Sequence, residues 1–120
     1  MARQWWARES TGFLVSIQLV DASDNPVDMT GWELDASFAR QTGATDLTLG
    51  PAATAADEGF YISDAENGMY QVRVLAATLA GIDDETGDFT MRGDIIATLP
   101  STARIWIEDI DFQVTEGVTA

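Results

Sequence analysis

Two short acidic runs, Asp83-Asp84-Glu85 and Asp57-Glu58, are the residues best placed by type to do chemistry. Facing carboxylates can serve as general acid and base in glycoside hydrolysis if they oppose each other across a cleft. Both runs fall in stretches that read as loops, where carboxylates are ordinarily solvated. Asp21, Ser23, Asn25 and Asp28 place oxygen ligands roughly as a calcium loop begins. The central Gly and closing Glu of such a loop are missing, so a hydrated turn is the expectation. Arg92-Gly93-Asp94 spells a cell-adhesion tripeptide, but it lies within a strand pattern. The remaining inventory is narrow. There is no His and no Cys, and all 6 basic residues are Arg. That removes the Ser-His and Cys-His nucleophile devices, zinc–thiolate and His metal sites, disulfides, Schiff-base lysines and the P-loop. The expectation is a non-enzymatic chain with no catalytic, cofactor-binding or metal-binding residues.

The 20 acidic residues leave a net charge of −14. Such a surface cannot neutralise phosphates, so neither nucleic acid nor an anionic membrane is an expected partner. A partner with a basic face suits it better. No stretch has the length and apolarity of a membrane span, and Trp5-Trp6 is too short for a signal-peptide core. A soluble product made in a host cytoplasm is expected.

The elements that would position these groups read as β-strands. In Thr11 to Val20 the odd residues Phe13, Val15, Ile17 and Leu19 form one apolar face. In Trp32 to Arg40 the even residues Trp32, Leu34, Ala36 and Phe38 do the same. Alternation with period two marks half-buried strands. Between them lies Asp24-Asn25-Pro26-Val27-Asp28-Met29-Thr30-Gly31, a run of turn chemistry in which Pro26 sets φ and Gly31 permits positive φ. Trp32 is expected in the core. Asp46 to Leu49, Glu58 to Ser63 and Met69 to Leu75 are shorter strands. Asn67-Gly68 predicts a type I′ hairpin turn between the last two, with both residues at positive φ. Ala76 to Gly81 is the one helix-prone piece. Phe89 to Leu99 and Ala103 to Thr115 are the final strands. The phase change from Ile105 and Ile107 to Ile110, Phe112 and Val114 predicts a β-bulge near Glu108–Asp109.

The first ten residues lack such a pattern. Residues 1–10 are therefore expected to be a flexible N-terminal arm, with residues 11–120 a single domain. Trp5 and Trp6 point to opposite sides of an extended chain. Either one of them packs on the domain while its neighbour is partly exposed, or the arm docks on a partner through Trp5, Trp6, Arg3 and Arg8. The fold expected is an all-β, immunoglobulin-like β-sandwich of about seven to eight antiparallel strands. Its structural residues are Trp32, Gly31, Pro26, Asn67 and Gly68.

The order of features carries a resemblance. An apolar strand leads into Asp24 to Trp32. Asp64 to Tyr70, with its Asn-Gly turn, Ala77-Thr78-Leu79 and a closing Val114 to Thr119 follow. This resembles the small immunoglobulin-like module of tailed-phage structural proteins, as in the N-terminal domain of siphophage baseplate upper proteins and related tail and fibre proteins. Those carry a D-G-x-P-x-D-L-T-G turn, an N-G hairpin and a closing V-T. Met29 stands where that family usually has Leu, and Phe89 with Asp94 only roughly fills its tyrosine-and-aspartate strand. The resemblance implies no enzymatic residues and no cofactor. It implies a virion protein that assembles with other tail, baseplate or capsid subunits, as a homo-oligomer or in several symmetric copies. Capsid decoration and a carbohydrate-binding module, with Trp5, Trp6, Trp106 and Tyr61 stacking on sugars, are the alternatives.

Overall fold

Alternating burial builds two facing sheets. The computed structural model describes residues 3–40, 45–82 and 89–115. The strands in chain order are β1 (Arg3–Arg8), β2 (Phe13–Gln18), β3 (Glu33–Ala39), β4 (Leu47–Leu49), β5 (Gly59–Asp64), β6 (Met69–Val74), β7 (Phe89–Thr98) and β8 (Arg104–Thr115). A 3-10 turn (Ala65–Asn67) joins β5 to β6, and α1 (Ala76–Ile82) follows β6. One sheet has the order β1-β8-β7-β3-β4 and the other β2-β6-β5. With β2, β3, β5, β6, β7 and β8 set as strands B, C, D, E, F and G, this is the immunoglobulin arrangement. It is an all-β sandwich, with the short helix α1 between β6 and β7.

The expected apolar faces form the core. Leu34, Ala36 and Phe38 of β3 are buried, as are Tyr70, Val72 and Val74 of β6 and Ile110, Phe112 and Val114 of β8. Phe60 and Ile62 pair with Val72 and Tyr70, so the predicted hairpin exists. The bulge lies one residue earlier than expected. Ile95 pairs with Glu108 and Ile96 with Trp106, leaving Ile107 as the extra residue. The slip turns Ile110, Phe112 and Val114 inward while Trp106 and Ile105 stay on opposite faces.

Four expectations need correction. First, Arg3–Arg8 is not a loose arm but a strand of the larger sheet. It pairs with β8, and in parallel, so the sandwich is not wholly antiparallel. Parity explains the miss: Trp5 and Ala7 supply just two buried apolar residues, too few for a period to declare itself. Second, Trp32 is only half-buried, because it precedes β3 and packs on the rim of the core. Third, the β5–β6 connection is not a type I′ turn. Gly68 alone takes positive φ, at 67°, closing a 3-10 turn that contains Asn67. A Cβ on Gly68 would sit 2.6 Å from the Leu19 carbonyl oxygen and 2.8 Å from that of Val27, so glycine is required by close approach as well as by φ. Fourth, Met29 is not a turn residue in the ordinary sense, since it is fully buried inside the Asp24–Trp32 connection. Gly31 does take positive φ, at 78°, and Pro26 bridges to Val20. The acidic run 83–85 and the closing Val118-Thr119 lie outside the described residues.

Candidate functional site: an open flank of the sandwich

The polar side chains singled out in the sequence do structural work. Asp21 accepts hydrogen bonds from the backbone N–H groups of Ser23 (2.8 Å) and Asn25 (3.0 Å). These bonds, that of Asn25 foremost, hold its carboxyl below the ordinary 3.8. Asp28 accepts from the Thr30 hydroxyl (2.6 Å) and backbone N–H (2.9 Å), which lower its pKa likewise. The calcium-like oxygens thus tie down their own turn. Asp57 accepts from the Thr54 N–H and Glu58 from the Leu75 N–H. Arg92 pairs with Asp111 across neighbouring strands at 3.4 Å, and Gly93 and Asp94 sit in the middle of paired β7. Among the described residues no group of three or more Asp or Glu is arranged to hold a metal.

The aromatic residues proposed for sugar stacking do not come together. Trp5 is 3% exposed and Trp6 61%. Trp6 lies beside Gln113 on β8, seven residues along that strand from Trp106, or about 20 Å at the usual rise. Tyr61 belongs to the other sheet. Among the four partner-binding residues expected in the arm, Trp5 is in the core. Its ring lies 5.1 Å from Phe13, 5.5 Å from Phe112 and 5.9 Å from Phe38. Such aromatic pairs contribute about 0.5–1.5 kcal/mol each beyond area burial. Arg3 is bonded to Glu108 at 2.6 Å. Trp6 and Arg8 remain exposed on the outward side of β1.

What the structure does bring together is a groove of about 630 Å³ between β1 and β2, lined by Gln4 to Arg8, Thr11 to Val15 and Thr115. Both strands are edges, β1 of the larger sheet and β2 of the smaller. The chain switches sheets at Glu9–Gly12. There the N–H groups of Thr11 and Gly12 both donate to the Arg8 carbonyl, and Arg8 bridges Gly12. From that apex the two edges diverge. Trp6 stands exposed on one lip and Leu14, 53% exposed, on the other. Trp5 and Phe13 form the floor between them. Leu14 was passed over in the sequence because it occupies the polar parity of β2. A Leu at a solvent position between Phe13 and Val15 is the signal that was there to be found. Behind the floor, the indole N–H of Trp5 and the hydroxyl of Tyr70 are buried with no hydrogen-bond partner among the described residues. Burial, with the Glu108 charge nearby, raises the Tyr70 pKa, so this phenol stays protonated.

No family model matches the chain, and no curated protein matches it. Among solved structures it is similar to the N-terminal domain of phage TP901-1 ORF48. That similarity has a TM-score of 0.48 and 11% identity, and it covers 93% of this chain and 82% of the other.

Proposed function

We propose that the chain is a non-enzymatic structural protein of a tailed-phage particle, attached to its neighbours through exposed strand edges. The observation that carries this reading is the open flank, where apolar side chains stand in solvent beside two edges that no described residue pairs. Such a surface is suited to holding another protein. The phage assignment comes from the sequence resemblance through Asp24 to Trp32 and Asp64 to Tyr70.

Within the particle, a tail-tip, baseplate or fibre-attachment position is proposed ahead of capsid decoration. Several symmetric copies are expected, with a partner in the tail or head and no nucleic-acid or membrane contact. Mass spectrometry of purified virions, separated into heads and tails, tests this. The protein is expected in the tail fraction. Recovery with heads would favour the decoration reading, and absence from both would overturn the proposal.

A further inference from the structure

We infer that the β1–β2 groove is a docking site for an extended, largely apolar segment of a partner protein, added as a strand to the free edge of β1, with one carboxylate beside Arg8. Backbone parity supplies the first argument. The Glu9 N–H donates to Thr115 of β8, whereas the Arg8 carbonyl faces the other way, toward Gly12. Alternation along the strand therefore aims the N–H and C=O groups of Gln4 and Trp6 out of the sheet, into the groove. Only an extended backbone satisfies such a row of donors and acceptors. Side chains supply the second argument. Every other residue of the added strand would turn toward the Trp5 and Phe13 floor, and Trp6 and Leu14 would cover it from the two lips.

Charge selects the occupant. Among the described residues, Arg8 is the one charged side chain lining the groove. It is exposed and forms no ion pair with a described residue, while Arg3, Arg92 and Arg104 each have a carboxylate. A cationic segment would meet Arg8 head-on, although the rest of this acidic surface would attract it. A second copy is a poor occupant. Each molecule carries −14, so pairing β1 with β1 would bring two acidic surfaces together.

This inference goes beyond the virion reading and does not depend on it. Random linear peptides displayed on yeast, selected against the immobilised whole chain, test it directly. The enriched peptides should alternate apolar residues and carry a carboxylate at one end. Gln4→Pro removes an outward N–H and leaves the ladder to β8 intact, so it should weaken their Kd at least about tenfold. Arg8→Glu should do the same. Leu14→Asp provides an equivalent block on the opposite lip should Gln4→Pro fold poorly, and Trp106→Ala should change nothing. Enrichment of cationic peptides, unchanged Kd in both Arg8→Glu and Leu14→Asp, or no enrichment at all would overturn the inference.

Discussion

The two flanks of the sandwich are finished in opposite ways. On one, the chain leaving β4 is fastened to β5. The Phe60 N–H donates to Gly50 at 2.9 Å, the Ala52 N–H donates to Phe60 at 2.8 Å, and Pro51 bridges Phe60. Among the described residues the other flank has a single bridge, Arg8 to Gly12, and then separates. The closed flank buries its large apolar residues, Leu47, Leu49 and Phe60. The open flank buries Trp5 and leaves Trp6 and Leu14 in solvent. Unpaired edges invite aggregation and are normally shortened, charged or covered. An edge left open, with an indole beside it, is the feature of this fold that stability alone does not explain.

Substitutions at the floor of the open flank sharpen the contrast most. Trp5→Ala should cost about 3–5 kcal/mol in urea unfolding, because its ring contacts Phe13, Phe38 and Phe112. Trp6→Ala, one residue away, should stay within about 0.5 kcal/mol. Deleting residues 2–10 removes β1 whole and should unfold the chain. An arm-like outcome, with thermal stability unchanged, would break the comparison at its base. Gly68→Val comes next, at about 3 kcal/mol or more, since positive φ and two close carbonyl oxygens act together. The carbonyl of Gly68 also accepts the Leu19 N–H that anchors the end of β2, so displacing the backbone there should loosen the open flank first. Trp32→Ala should cost less, about 1–3 kcal/mol, because the ring is half-buried.

Much of this fold was legible because burial on one face forces period-two alternation. Phe13 to Ile17, Leu34 to Phe38 and Tyr70 to Val74 each state their inward face, and the phase slip near Ile107 states the bulge. What was hidden depended on contacts distant in sequence. Trp5 is a core residue only because β8, more than a hundred positions later, pairs beside it. Met29 sits among turn formers, and nothing local reveals that the connection folds over the core. The 3-10 turn at Ala65–Asn67 displaced a type I′ turn because the chain must also meet Leu19 and Val27, which the Asn-Gly dipeptide does not encode. The site followed the same division. That one of Trp5 and Trp6 would be exposed was legible; which one, and the groove itself, needed the sheet order.

A smaller effect separates the flanks by pH. Asp46, just before β4, accepts from the Arg40 backbone N–H and pairs with its guanidinium, and these bonds hold its pKa below 3.8. A carboxyl depressed in the folded state stabilises above its unfolded pKa and loses that contribution as pH falls through the folded one. Amide protection, corrected for the intrinsic exchange rate, should therefore fall near β4 and in the Asp21–Asn25 turn below about pH 4. Among the described residues lining the groove there is no carboxylate, so Trp5 and Ala7 should show no such step.

Residue-resolved amide hydrogen exchange at neutral pH tests the unequal flanks most directly. The account predicts strong protection at Trp5 and Ala7, which face β8, and at Ala52 and Phe60, which close the far flank. Gln4 and Trp6 should exchange rapidly, as unpaired edge groups. Uniformly fast exchange through residues 3–8, or protection of Gln4 and Trp6 equal to that of Phe60, would contradict it.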